Sequence, residues 1–253
     1  ITERTRLIAV PHTSNLVAHI NPVREIADKA HESGIIVVAD GVSYAPHGLP
    51  DIQKLGVDIY LFSLYKTWGP HLGAMYVKRE LSNKMTNQSH FYYSDEPHYR
   101  LSPAGPDHAQ IAAAAGVADY LDAVYAHHFD DDPESAVKGR RLHQLFSDYE
   151  VSLLTPLLDF LKARDDVLII GPDDPSIRSS TVTIVPLKKS VATVAAELEK
   201  HKLMVASGDF DATRIFNDMN IAEDPGAIRL SFIHYTTQDD IDRLINGLTK
   251  ALG

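Results

Sequence analysis

The strongest constraint on the fold is the apolar run IIVVA at residues 35–39, which lacks the polar alternation of a half-exposed strand. A continuous run of β-branched residues is typical of a parallel strand covered on both faces. Residues 22–32, just before it, carry apolar side chains at helical spacing, and Gly34 predicts the end of that helix. Residues 7–10 form another apolar run, so the order strand, helix, strand predicts a right-handed crossover in an α/β sheet.

The same alternation continues along the chain. It predicts a short helix at residues 51–55, strands at 59–62 and 73–77, an alanine-rich helix at 110–127, and one or two helices within 136–163. Further strands are predicted at 167–170, 181–185 and 227–233, with helices at 191–201 and 238–252. The last helix follows a capping-box pattern of Thr237 and Asp240.

The acidic stretch at residues 129–134 is read as a solvated connection between two domains. We predict a large α/β domain over residues 1–130, with a mainly parallel sheet flanked by helices. Residues 131–253 are predicted to form a smaller α+β domain. In such sheets, binding groups gather beyond the carboxyl ends of the strands.

Composition excludes several classes of function. The 253 residues carry a formal net charge of −10, which argues against a nucleic-acid surface. There are 0 cysteines, so the chain has no disulfide, thiolate metal site or cysteine nucleophile, and no metal site is predicted. No apolar run reaches the roughly 18 residues of a membrane span, and we expect a cytoplasmic protein.

Lys66 lies in an unusual setting, because it follows an apolar strand-like run and precedes Gly69-Pro70. Burial disfavours the ammonium form of a lysine, so we expect Lys66 to be desolvated and ready to form a Schiff base with an aldehyde cofactor. Asp40 closes the apolar run at 35–39. A carboxylate for a pyridine nitrogen and a lysine for the imine together indicate a site for pyridoxal 5'-phosphate (PLP).

Several short motifs support this interpretation by their order and spacing. They are His12-Thr13-Ser14-Asn15, Asn21-Pro22, Ala39-Asp40-Gly41, Pro46-His47, residues 58–63, Lys66, Gly69-Pro70, Gly73 and residues 228–237. With these motifs the chain resembles the class V aminotransferases, which are fold-type I PLP enzymes. Within that family it is most similar to the cysteine desulfurase and selenocysteine lyase branch. The resemblance spans nearly the whole chain.

The resemblance implies a role for each matching residue. Lys66 would bind the cofactor and move the substrate's α-proton, and Asp40 would pair with the pyridine nitrogen. Asn15 would hydrogen-bond the phenolic oxygen, Ser63 the phosphate, and Arg229 the substrate carboxylate. An Asx turn is the alternative for Asn15, and a structural ion pair is the alternative for Arg229.

Two histidines are weaker candidates. His12 and His47 also match family positions. Either could instead be a hydrogen-bonded core histidine.

Other positions depart from the family pattern. Ser43 stands where the family has Gln, so its contact to the phenolic oxygen would be shorter or bridged by water. Tyr65 replaces a His, and its hydroxyl would approach the phosphate from a different position. Gly105-Pro106 replaces a Gly-Thr pair, and Asp211 lies near the position of the catalytic cysteine. We therefore predict that this chain does not run the persulfide mechanism.

The chain begins inside the family's large domain, so we expect the N-terminal part of that domain to be absent. The resemblance implies an amino-acid substrate and a homodimer with its active site at the subunit interface. A lyase, an aminotransferase and an epimerase all remain open, as does a pseudoenzyme or binding module with this fold. A nucleotide-binding domain is disfavoured, because neither a G-x-G-x-x-G pattern nor a Walker lysine loop is present.

Overall fold

The computed structural model describes residues 1–102, 105–222 and 226–253. Two compact units are present. The first contains Ile1–His12 and Asn21–His143, and the second contains Thr13–Ile20 and Gln144–Gly253. The boundary between the two predicted domains, at residues 130 and 131, stays a prediction.

The first unit is built on a four-stranded sheet. Its strands are β1 (Leu7–Pro11), β2 (Ile36–Asp40), β3 (Ile59–Ser63) and β4 (Gly73–Val77), in the order β1-β2-β3-β4. The β1–β2 and β2–β3 pairs are parallel, which confirms the predicted mainly parallel α/β sheet. β4 pairs with β3 in the antiparallel direction, because the connection over residues 64–72 is too short for a crossover.

The helices of this unit are the predicted ones together with a short helix at Arg79–Lys84 that was not predicted. They are α1 (Val23–His31), α2 (Ile52–Leu55), α3 (Arg79–Lys84), α4 (His108–Ala113) and α5 (Ala115–His128), and α6 (Ser135–Lys162) begins here. The alanine-rich helix predicted at 110–127 is interrupted at Ala114, although the backbone of that residue stays in the right-handed helical region. The core joins α1 to the sheet through Val23, Ala27, Ala30, Ile35, Val37, Ala39, Val57 and Tyr60.

The second unit contains an antiparallel sheet with helices, as expected of an α+β domain. Its strands are β5 (Val167–Ile170), β6 (Thr181–Pro186), β7 (Ala206–Gly208) and β8 (Ala227–Ser231), in the order β5-β6-β8-β7. The remaining helices are α7 (Val191–Lys200), α8 (Thr213–Asp218) and α9 (Gln238–Leu252). Within the described ranges, no helix combines the length and the apolar character needed to cross a membrane.

Packing decides that α6 is one helix, a point that the sequence left open. Pro156 lies inside α6, where a proline removes a backbone hydrogen bond at a cost of about 3 kcal/mol. The leucines around it, Leu153, Leu154, Leu157 and Leu158, are at most 1% exposed and belong to the core of the second unit. Their burial offsets the local cost of the proline.

The segment Thr13–Ile20 is fastened within the second unit by hydrogen bonds. Thr183 Oγ1 donates to Leu16 O at 2.8 Å, and Ser179 N donates to Ala18 O at 2.9 Å. The Leu16 and Ala18 side chains are fully buried. These contacts fix the position of Asn15 in the second unit.

Candidate active site

The first group of predicted site residues lies at one edge of the first sheet. Asp40 is the last residue of β2 and Ser63 is the last residue of β3. Because β2 and β3 are adjacent and parallel, their carboxyl ends lie at the same edge. Asp40 is exposed and its Oδ1 accepts a hydrogen bond from Val42 N at 2.9 Å. Ser43 follows in the same turn and is half-buried.

The loop that carries Lys66 is held by backbone hydrogen bonds. Lys66 ends a short 3-10 helix, Leu64–Lys66. Leu64 O accepts from Thr67 N and from Gly69 N, both at 2.8 Å, and Leu64 N donates to Leu72 O at 2.8 Å. Thr67 is fully buried. The loop therefore presents Lys66 from a defined backbone position directly after β3.

The Lys66 side chain is exposed, so our expectation that this chain desolvates it is wrong. The reason is its place in the turn beyond β3, where the chain has left the covered faces of the sheet. Lys66 Nζ lies 5.8 Å from the centroid of the Tyr65 ring, and that ring stacks on His71 at 4.7 Å. The amine is therefore accessible to a ligand.

His12 supports the backbone beside Asp40. His12 N donates to Asp40 O at 2.7 Å, and the His12 side chain is 4% exposed. Its Nδ1 lies 2.9 Å from Tyr60 Oη, and its ring stacks on Tyr44 at 3.6 Å. Burial, and secondarily the charge of His143, lowers the pKa of His12 to about 4. The imidazole is therefore neutral near pH 7, and these contacts support the core-histidine interpretation.

The residue after Asp40, Gly41, has no room for a side chain. A Cβ placed on Gly41 would lie 2.2 Å from the Tyr60 ring, which is fully buried. Burial raises the pKa of Tyr60 and keeps its hydroxyl protonated. Sequence reasoning missed Tyr60, because a tyrosine in an apolar strand looks like any other core residue.

His47, the other histidine candidate, lies close to Asp40 in the sequence. His47 ends the 3-10 helix Ala45–His47 and is half-buried. His143, which sequence reasoning did not single out, lies 3.4 Å from Tyr44 Oη through Nε2 and 3.2 Å from Gly48 O through Nδ1.

The second group of predicted site residues lies in the second unit. Arg229 is half-buried on β8, and its Nη1 donates to Asn15 O at 3.3 Å. Its guanidinium carbon lies 4.5 Å from the centroid of the Phe210 ring. Burial lowers the pKa of Arg229. Among the described residues no carboxylate pairs with Arg229, so the alternative of a structural ion pair finds no support there.

Asn15 does not form the Asx turn considered as its alternative role. Its Nδ2 instead donates to Phe210 O at 3.3 Å, and the residue is exposed. Phe210 is a second residue that sequence reasoning missed, since an isolated Phe in a polar loop carries no motif. Asp211, next to it, has a positive φ of 58°.

Gly105 and Pro106, which replace the family's Gly-Thr pair, line a cavity of about 660 Å³ in the first unit. Gly73, Met75 and Val77, which alternate along β4, line the same cavity. Pro106 has no hydroxyl group to offer in this cavity.

The edge of the first sheet fits PLP chemically. It offers an accessible amine at Lys66, an exposed carboxylate at Asp40, and hydroxyl groups on Ser43, Ser63 and Tyr65. Within the part of the chain that the structure describes, Asp40 Oδ2 has no hydrogen-bond donor, so it remains available to a ring nitrogen. No group of three or more histidines and carboxylates suited to a metal ion occurs among these residues.

Known proteins share both the sequence pattern and the fold. The chain is 29% identical over 259 residues to aminotransferase-like protein FGM3 of Gibberella zeae, covering 100% of this chain and 60% of that protein. It is 30% identical over 249 residues to cysteine desulfurase-like protein ustD of Aspergillus flavus, covering 95% of this chain and 53% of that protein. The chain thus spans a little over half the length of these relatives.

Solved structures agree with this fold. The cysteine desulfurase CsdA of Escherichia coli matches with a TM-score of 0.79 at 23% identity, covering 100% of this chain and 60% of that one. A cysteine desulfurase from Thermococcus onnurineus NA1 matches with a TM-score of 0.76 at 22% identity, covering 98% and 60%. Residues 1–137 and 141–244 match the aminotransferase class-V family. The chain belongs to the aminotransferase class-V family.

Proposed function

We propose that this protein is a PLP-dependent enzyme that acts on an amino acid as a lyase or an aminotransferase. Members of its family use PLP. The observation that carries the proposal is the placement of an accessible lysine and an exposed carboxylate at the carboxyl ends of two adjacent parallel strands. Lys66 follows β3 and Asp40 ends β2.

Bound PLP supplies an aldehyde that condenses with amines and a ring that accepts electrons from the substrate's α-carbon. Lys66 Nζ would hold the cofactor and would take and return the substrate's α-proton. The Asp40 carboxylate would pair with the pyridine nitrogen and hold a proton there. His12, neutral and buried, holds the Asp40 backbone in place.

Polar groups orient the cofactor in this proposal. The hydroxyls of Ser63 and Tyr65 donate to the phosphate, and Ser43 and Asn15 bind the phenolic oxygen. One N–H of the Asn15 amide donates to Phe210 O in this structure, and the second would donate to the cofactor.

Arg229 binds the substrate carboxylate in this proposal. It is half-buried and has no carboxylate partner among residues 1–102, 105–222 and 226–253. A desolvated guanidinium without a counterion gains strongly from a bound carboxylate, because the two ions then satisfy each other's hydrogen-bonding groups. This requirement restricts the substrate to compounds with an accessible carboxylate.

We further propose that the reaction does not pass sulfur through this chain. Asp211 lies near the position of the family's catalytic cysteine, and the chain has 0 cysteines. A carboxylate cannot hold a persulfide. Incubation with L-cysteine followed by intact-protein mass spectrometry is expected to show no persulfide on this chain, and a stoichiometric persulfide would contradict the proposal.

The family resemblance also supports a homodimeric enzyme. Light scattering on the purified protein is expected to give twice the subunit mass. A monomer at every concentration tested would contradict this part of the proposal.

Substrate turnover tests the proposed activity. Wild-type protein loaded with PLP is expected to consume one or more amino acids in a screen that records ammonia, keto acid, alanine and sulfide. K66A is expected to be inactive, whereas K84A, which changes an exposed lysine on α3, should retain activity. Equal turnover by wild type and K66A would contradict catalysis through Lys66, and a loaded protein without turnover would instead favour a binding module.

A further inference from the structure

Three residues of the second unit form a closed set of contacts around the Arg229 guanidinium. Arg229 Nη1 donates to Asn15 O at 3.3 Å, and Asn15 Nδ2 donates to Phe210 O at 3.3 Å. The Phe210 ring completes the set, with its centroid 4.5 Å from the Arg229 guanidinium carbon. Asn15 therefore links Arg229 to Phe210 through hydrogen bonds.

The backbone around Phe210 adopts an uncommon conformation. Phe210 and Asp211 have φ values of 55° and 58°, in the left-handed region that disfavours residues other than glycine. Two consecutive residues in this region persist only when their surroundings hold them there. The Asn15 bond to Phe210 O and a bond from Asp211 N to Asp209 Oδ1 at 3.3 Å supply such contacts.

The arrangement leaves one edge of the guanidinium for a ligand. The guanidinium carbon lies over the Phe210 ring, and Asn15 O takes one N–H of Nη1. Among the described residues, Nη2 has no acceptor, and Nε is buried without one. These N–H groups lie in the plane of the guanidinium and can donate two parallel bonds to a carboxylate.

We propose that Phe210 makes the Arg229 site selective for planar carboxylates over tetrahedral oxyanions such as phosphonates. This inference rests on the proposed function, in which Arg229 binds the substrate carboxylate. A carboxylate bound at the open edge keeps both oxygens and its substituent carbon in the guanidinium plane. A phosphonate bound through two oxygens places its third oxygen on one side of that plane and its carbon on the other.

The ring penalises the tetrahedral group whichever way it binds. One of the two out-of-plane substituents must point toward Phe210, where it meets the ring or, if it is the oxygen, loses hydration against an apolar surface. The planar group meets neither penalty. Selectivity therefore arises because Phe210 disfavours the tetrahedral group while Arg229 attracts both anions.

Binding of a matched pair of unreactive probes tests the proposal. Affinities of propionate and ethylphosphonate for the PLP-loaded protein can be measured by ligand-observed NMR, because neither probe has an amine to react with the cofactor. Wild type is expected to bind propionate more tightly. F210L, which removes the flat ring but keeps an apolar side chain, should reduce the propionate-to-phosphonate preference about tenfold.

Matched variants separate the possible outcomes. F160L alters a phenylalanine whose ring lies 5.5 Å from the guanidinium carbon of Arg164 in the same unit, and should leave the preference unchanged. F210Y keeps the ring and should also preserve it. An unchanged preference in F210L, or equal affinities in wild type, would overturn the proposal.

R229K distinguishes this failure from failure of the proposed function. If R229K weakens propionate binding while F210L leaves the preference intact, selection by Phe210 falls and the role of Arg229 stands. If R229K binds propionate as wild type does, both fall. If F210L does not fold, equal affinities of wild type for the two probes would still overturn the proposal.

Discussion

The backbone around Asp40 is held in place by two neighbouring residues, His12 and Tyr60. His12 N binds Asp40 O, and the Tyr60 ring packs directly against Gly41. The side chains of His12 and Tyr60 are both buried. Protonation of His12, or added volume beside Tyr60, should therefore disturb the backbone that carries the Asp40 carboxylate.

Acid is expected to destabilise the fold through His12. Its pKa is lowered from the ordinary 6.5 to about 4, so below pH 6.5 the unfolded chain binds a proton that the folded chain excludes. The stability contribution is complete above pH 6.5 and is lost as the pH falls through 4. The loss amounts to about 3 kcal/mol. Urea unfolding between pH 7 and 4 should show a steeper decline for wild type than for H12Q, and equal slopes would contradict this assignment.

Substitution of Gly41 is expected to strain the core. In G41A the new methyl group would meet the buried Tyr60 ring, and overpacking of this kind costs about 1–3 kcal/mol. G139A is the matched control, because Gly139 is an exposed position in α6 with no atom near its added Cβ. Urea unfolding should show G139A to be more stable than wild type by about 0.5–1 kcal/mol. A neutral G41A would show that Tyr60 moves aside freely.

At the scale of elements, α9 shows how local sequence fixes a helix. Thr237 Oγ1 accepts from Asp240 N, and Asp240 Oδ2 accepts from Thr237 N, which confirms the predicted capping box. The helix then buries Ile241, Leu244, Leu248, Ala251 and Leu252.

Loss of this cap has a predictable effect. T237A is expected to reduce the free energy of unfolding by about 1 kcal/mol, because the backbone N–H of Asp240 loses its acceptor. T236A, at the preceding residue, should change it by about 0.5 kcal/mol or less. Thermal or urea unfolding of the two variants measures the difference. An equal effect of both would show that the cap contributes nothing beyond the loss of a threonine.

Elements with strong periodicity or a continuous apolar run could be predicted from the sequence, and others could not. The bounds of β4, β5 and α9 agree with prediction because turn residues or a cap delimit them. The short elements β7, α3 and α8 were missed, since three to six residues carry too little pattern. The antiparallel direction of β4 depends on the length of its connection, and the continuity of α6 through Pro156 depends on packing.

At the scale of the whole molecule, the predicted site residues fall into two groups, one in each unit. Asp40, Ser43, Ser63, Tyr65 and Lys66 belong to the first unit, and Asn15 and Arg229 to the second. Sequence motifs identified these residues because their chemistry is distinctive. The supporting residues Tyr60 and Phe210 could not be found in this way, because their roles depend on contacts between distant parts of the chain.

Covalent attachment of PLP at Lys66 is tested most directly by borohydride reduction and peptide mapping. Reduction of the loaded protein should abolish its visible absorption band and leave a phosphopyridoxyl group on the peptide that contains Lys66. K84A should label as wild type does, and K66A should not label. Labelling at another lysine, or equal labelling of K66A, would contradict the proposal that Lys66 binds the cofactor.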